Sequence, residues 1–240
     1  MTNPSAVPEF IPVPTFESYR FFHRVGMFVL AALLFFLAAI PSVLFLPAEM
    51  HSYLSFASTA GIAALLLLAL FAWQYRTDAG RQLRGDSIKF LKVGALAIIA
   101  SYLLCGVAIF VLGLSQEAFM AELLTGLTGW QGAIKIASLI LFPPITEELF
   151  FRHYLLRLFP YENSPAWKWI AIIATSAIFA GIHIQYGNWT TVVLIFACGC
   201  IFAIARIASG GLLVPILLHS LAEIVALSSD WSFRLMGLYS

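Results

Sequence analysis

The chain reads VGMFVLAALLFFLAAIPSVLFL at residues 25–46, a run without one charged side chain. A helix needs about 20 apolar residues to cross the hydrocarbon core of a bilayer. This run is long enough to do so. It therefore predicts a transmembrane helix near the start of the chain.

The same pattern recurs along the rest of the sequence. Six further runs have the length and apolarity of a spanning helix, at residues 52–73, 93–114, 133–158, 167–186, 190–207 and 211–227. The sequence therefore predicts an all-α polytopic bundle of seven transmembrane helices, with an eighth span or a re-entrant segment as the alternative. Pro143 and Pro144 lack backbone donors, so we expect a kink or break in the fourth span just before Ile145.

Composition excludes most soluble classes of protein. Hydrophobic residues make up 61% of the 240 residues and charged residues only 10%, whereas soluble domains carry about 25% charged residues. Lipid must therefore surround most of the chain. The net charge of +1 and the lack of a basic stripe give no sign of a nucleic-acid partner. Cys105, Cys198 and Cys200 all lie inside apolar runs, where small buried side chains are expected.

The positive charges predict how the chain is oriented. If the N-terminus is cytoplasmic, only Lys135 and Arg234 fall outside, and the inner side holds the remaining basic residues: Arg20, Arg24, Arg76, Arg81, Arg84, Lys89, Lys92, Arg152, Arg157, Lys168 and Arg206. We expect a multi-pass protein of the cell membrane, such as a bacterial inner membrane, with its N-terminus inside. Residues 1–24 would be an arm with an interfacial segment. Residues 25–240 would be one transmembrane domain, whose motif-bearing core spans about 130–227.

The densest group of charges inside a predicted span is EELFFR at residues 147–152. Charged residues in a span are costly, so each is a functional candidate. Adjacent helical residues point about 100° apart, so Glu147 and Glu148 cannot serve the same role. Arg152 lies four residues after Glu148 and can neutralise it. Glu147 is left without a partner nearby in sequence and is the candidate general base; a purely structural network of the three is the alternative.

Three more titratable residues lie inside later spans. His183 falls in the fifth run, and His219 and Glu223 lie four residues apart on one face of the seventh. A single buried histidine is usually a satisfied core residue, but several titratable groups on separate helices in lipid must contact one another or water. One expectation conflicts with a shared site. At about 1.5 Å per residue, the predicted spans place His183 roughly 10 Å farther out than Glu147 and His219.

The three patterns EExxxR at 147–152, FxxxH at 179–183 and HxxxE at 219–223, in this order, resemble those of the CPBP family of intramembrane endopeptidases. These are bacterial relatives of the CAAX prenyl proteases called Rce1, formerly grouped as Abi proteins. The resemblance begins at the fourth span, and the first three spans carry no matching motif. Alone, each pattern is weak, but their order on successive apolar helices is fairly specific.

The resemblance implies a role for each residue. Glu147 matches the glutamate that activates water, and His183 matches the histidine that holds that water. Glu148 and Arg152 match the supporting pair, and His219 matches a histidine that stabilises the oxyanion. Glu223 departs from the family, which usually has Asn or Asp there. An ionised carboxylate cannot donate to an oxyanion, so Glu223 must be protonated, orient His219 or act otherwise.

The first functional hypothesis is therefore a glutamic-type intramembrane endopeptidase that needs no cofactor. Its partners would be the lipid bilayer and a membrane-anchored, prenylated or sorting-signal peptide substrate. The same fold could instead hold zinc on Glu147, His183 and His219, although no HExxH pattern supports this. A proton-coupled transporter is a further alternative, against which stands the lack of inverted repeats. The last alternative is a membrane protein that keeps this fold without catalysis and acts as a binding partner. Oligomeric state and substrate identity are left open.

Overall fold

A computed structural model describes residues 20–239 of the chain. Most of the predicted N-terminal arm, residues 1–19, lies outside them. The described residues form α-helices joined by short turns, and no strand occurs among them. The helices are α1 Phe21–Leu37, α2 Ala39–Phe45, α3 His51–Tyr75, α4 Ala79–Arg84, α5 Phe90–Leu112, α6 Ala118–Glu122, α7 Gly129–Glu147, α8 Pro165–Gly181, α9 Trp189–Ser209 and α10 Leu213–Met236.

Helical segments with the length and composition of membrane spans dominate the described chain. There are six of them: Phe21–Phe45, Ala48–Arg84, Phe90–Leu112, Pro165–Tyr186, Trp189–Ser209 and Leu213–Met236. The predicted class, a polytopic bundle of membrane helices, is confirmed. The fourth predicted span, residues 133–158, is not one of the six, because polar and charged side chains interrupt it. It corresponds to α7 and its continuation, which pack against α3 and α10.

The expected break at Pro143 and Pro144 does not occur. α7 continues through both buried prolines as far as Glu147. In a membrane protein, packed neighbouring helices and local changes of hydrogen bonding can satisfy the carbonyls that a proline leaves free. The irregularity comes later, where a π-helical segment runs over Glu148–Leu155 and a 3-10 turn over Leu156–Leu158.

Two span ends also differ from the prediction. α8 ends at Gly181 rather than at residue 186, and a separate 3-10 turn covers Ile184–Tyr186. α10 continues to Met236 rather than ending at residue 227. The apolar pattern stops at Ser228-Ser229-Asp230, but backbone hydrogen bonds carry the helix past these polar side chains.

The connections between helices gather at the two ends of the bundle. We call the end formed by residues 76–89, 159–164 and 210–212 the arginine-rich face. Its connections bond to each other, since Leu212 N–H donates to Leu83 O and Asp86 N–H donates to Ser209 O, both at 2.8 Å. The opposite face contains residues 46–50, 113–128 and 182–188. There the Asn188 amide donates to Ser115 O at 3.2 Å.

Candidate active site

The site begins where α7 changes into the π-helical segment. Glu147 is the last residue of α7, and Glu148 is the first of the π-helix. π-Helical turns inside helices occur frequently at functional sites. The two adjacent carboxyls have different surroundings, because the Glu147 side chain keeps 18% of its surface exposed and that of Glu148 keeps none.

Glu147 lies beside both site histidines. Its Oε2 atom is 4.0 Å from Nε2 of His183 and 3.8 Å from Nε2 of His219. Both distances are too long for a direct hydrogen bond, but a single water molecule can bridge polar atoms so spaced. The three residues that the sequence places on separate spans therefore converge, as predicted.

His183 reaches this position because α8 ends early. It lies two residues beyond Gly181, in the bend that leads into the turn Ile184–Tyr186. The offset of roughly 10 Å expected from a continuous helix is therefore wrong. His183 Nδ1 lies 2.7 Å from Phe179 O. Because a carbonyl only accepts, Nδ1 carries the proton, and Nε2 of neutral His183 is an acceptor that faces Glu147.

Glu148 joins two other site residues. One of its oxygens forms an ion pair with Arg152 Nε at 3.3 Å, as the spacing of four residues predicts. The other accepts a hydrogen bond from His219 Nδ1 at 2.9 Å. The side chains of Arg152 and His219 keep only 1% and 5% of their surface exposed. A buried charge is costly unless it is paired, so these three side chains form one interdependent chain.

Aromatic rings surround the Arg152 guanidinium. It lies 4.5 Å from the ring centre of Phe179, 5.3 Å from that of Phe202 and 5.7 Å from that of Phe151. Its Nη2 donates to Gly199 O at 3.2 Å. These contacts compensate the buried cation by hydrogen bonding and by cation–π attraction. They also fix Arg152, and through it the Glu148 carboxylate.

Glu223 follows His219 by one helical turn, as predicted. Its Oε1 lies 3.7 Å from His219 Nε2, and 26% of its side-chain surface is exposed. His219 thus has Glu148 on its Nδ1 side and both Glu147 and Glu223 on its Nε2 side. When His219 carries two protons, Nε2–H is a donor available to a substrate oxygen.

A cavity of about 140 Å³ adjoins these residues. His183, His219 and Glu223 line it, together with apolar and aromatic side chains of α5, α6, α9 and α10. The charged residues among the described lining are all acidic, namely Glu117, Glu223 and Asp230. The site therefore opens into a largely apolar space, of the kind that ligand sites usually present.

Several contacts at the site have no local signal in the sequence. The Phe202 ring stacks on His219 with ring centres 4.7 Å apart, but the two residues come from different helices. Gly199 contributes only its carbonyl oxygen. Tyr186 could have been found, because it follows His183 by three residues and carries an aromatic ring, which stacks on His183 at 6.3 Å.

The donor geometry bears on the zinc alternative. Within residues 20–239, no three His, Cys, Asp or Glu side chains form a group that could hold a metal ion. The Nδ1 atoms of His183 and His219 are held by Phe179 O and by Glu148, which leaves both Nε2 atoms free, as in histidines that bind a metal. The zinc alternative therefore stays a hypothesis, which metal analysis of the purified protein tests.

Comparison with known proteins gives the family of the chain. The model of the family "Type II CAAX prenyl endopeptidase Rce1-like" matches residues 128–225, which include all of the site residues. An Escherichia coli protein described as "Uncharacterized 24.3 kDa protein" is 32% identical over 176 residues, which cover 70% of this chain and 77% of that protein. No solved structure matches the chain.

The apolar helices and the matched family thus indicate a multi-pass membrane protein of a peptidase class. The chain belongs to the Rce1-like family of type II CAAX prenyl endopeptidases.

Proposed function

We propose that this protein is a glutamic-type intramembrane endopeptidase, in which Glu147 activates a water molecule for attack on a peptide carbonyl. The observation that carries the proposal is the approach of Glu147 Oε2 to both histidine Nε2 atoms, at 4.0 and 3.8 Å. Oε2 has no hydrogen-bond partner among the described residues and is buried. A buried polar atom without a protein partner is expected to bind an ordered water molecule or a ligand.

The hydrogen-bond roles support this chemistry. Glu147 Oε2 and the Nε2 atom of neutral His183 are both acceptors, so one water molecule can donate a hydrogen bond to each and direct a lone pair at the substrate. As the water attacks, Glu147 takes its proton and acts as general base. His219, when it carries two protons, donates Nδ1–H to Glu148 and Nε2–H to the oxyanion that forms on the substrate.

The family and the apolar helices support a proposal for the class of substrate. We propose a membrane-anchored protein or peptide, with a prenylated C-terminus as one possibility and a sorting signal as another. The apolar lining of the cavity suits such a segment. We propose that the protein lies in the cell membrane with its N-terminus in the cytoplasm.

Mapping of peptide termini tests the activity without a known substrate. The wild-type protein and Glu147→Gln are produced in the same host, and the termini of membrane peptides are compared by mass spectrometry. We expect a set of termini that depends on wild-type protein and is absent with Glu147→Gln. Glu162→Gln, at a side chain that is 51% exposed in a loop, is the matched control and should keep them. Identical termini from all three strains would contradict the proposal.

A further inference from the structure

The walls of the cavity come from one end of the bundle. The lining residues of α5 lie between Tyr102 and Ile109, and those of α10 extend from His219 to Phe233, so both sets reach toward the opposite face. The connection between α5 and α6 contributes Glu117, and the turn after α8 contributes Tyr186. None of the described lining residues belongs to the segments 76–89, 159–164 or 210–212 of the arginine-rich face.

The other side of the site is closed by packed side chains. Glu148 and Leu149 at the start of the π-helix are fully buried, and so are Leu212, just before α10, and Val214 and Leu218 in its first turns. Arg152 fills the space beneath Phe179 and Phe202. A peptide could reach Glu147 from the arginine-rich face only by displacing this core, whereas the cavity already extends to His183 and His219 from the opposite face.

We infer that the substrate enters from the opposite face and is cut on the non-cytoplasmic side of the membrane. The inference rests on the proposed function of Glu147. It also uses the positive-inside rule, because Arg76, Arg81, Arg84 and Lys89 lie in one short connection of the arginine-rich face and place that face in the cytoplasm. The substrates are then membrane-anchored segments exposed outside, rather than cytoplasmic tails.

Thiol labelling of intact cells tests which side the cavity opens to. Phe119→Cys places a thiol at a lining position that is 40% exposed. Arg81→Cys places one on the arginine-rich face, where the side chain is 78% exposed. The reagent is a membrane-impermeant maleimide, and the unsubstituted chain serves as the blank for the three native cysteines. We expect Phe119→Cys to be labelled in intact cells. Arg81→Cys should be labelled only after permeabilisation. The reverse pattern would overturn the inference.

The position of the cut separates this inference from the proposed function. Termini that depend on Glu147 should map to substrate segments outside the cytoplasm. Glu147-dependent termini in cytoplasmic segments would overturn the inference and leave the proposed function standing. If no terminus depends on Glu147, the proposed function fails, and the labelling still decides which way the cavity opens.

Discussion

At the scale of single residues, Glu148 has more partners than its sequence neighbours suggest. The spacing to Arg152 is visible in the chain, and the structure confirms the ion pair at 3.3 Å. The hydrogen bond to His219 joins residues 71 positions apart, so no local pattern could have indicated it. Sequence reasoning therefore names the charged and histidine side chains of the candidate site, and only the folded chain shows which of them contact each other.

Removal of Arg152 should damage both folding and activity. Arg152→Ala breaks the buried ion pair and leaves the Glu148 carboxylate only its contact with His219, which costs about 3–5 kcal/mol. A double-mutant cycle of Glu148→Ala and Arg152→Ala, followed by unfolding in detergent, should show a coupling of about 0.5–3 kcal/mol because the two side chains touch. Arg81→Ala, at an exposed arginine, is the control and should change little. Additive effects of the two site changes would mean that the pair contributes nothing as a unit.

Substitutions of Glu223 distinguish two roles for its carboxyl group at the oxyanion. If the carboxyl is protonated and donates a hydrogen bond, Glu223→Gln keeps a donor and retains most of the cleavage rate, while Glu223→Ala loses about 10–1000-fold. If the carboxylate orients His219 across the observed 3.7 Å, both variants lose activity similarly. Steady-state rates of the two variants distinguish these cases. Full activity in both would remove Glu223 from the site.

At the scale of elements, apolar runs predicted the helices well and their ends less well. Six of the seven predicted runs correspond to segments that are long and apolar enough to span a membrane. The early end of α8, which lets His183 approach Glu147, is invisible in composition because Ile182 and Ile184 are as apolar as the helix before them. The π-helical segment also has no signal in the sequence, because it depends on how Glu148 and Arg152 pack against other helices.

The contact between the α4–α5 and α9–α10 connections positions α10, and glycine permits it. Gly85 has φ +74°, and a Cβ there would lie 2.3 Å from Ser209 O. Gly85→Ala should therefore lower the free energy of unfolding by at least about 1–3 kcal/mol and reduce activity by moving the start of α10. Gly80→Ala, on α4 with nothing within 4 Å of the new Cβ, should be neutral or slightly stabilising. Thermal unfolding of both variants in detergent checks this, and equal stability would show that the two connections do not constrain each other.

At the scale of the whole molecule, metal dependence can be tested on the purified protein. If Glu147 and His183 activate water without a metal, strong chelators should leave the cleavage rate within about twofold, a change of only about 0.4 kcal/mol in the barrier. Elemental analysis should also find less than one zinc per chain. Activity that is lost on chelation and restored by added zinc would favour the metalloprotease alternative.

The central claim is that Glu147 is the general base, and one rate comparison tests it most directly. A peptide identified by terminus mapping is incubated with purified wild-type protein and with Glu147→Gln, which keeps the shape of the side chain and removes the base. We expect the cleavage rate to fall by at least about 100-fold, with an unchanged melting temperature in detergent. A rate within about tenfold of wild type, roughly 1.4 kcal/mol of barrier, would contradict the account.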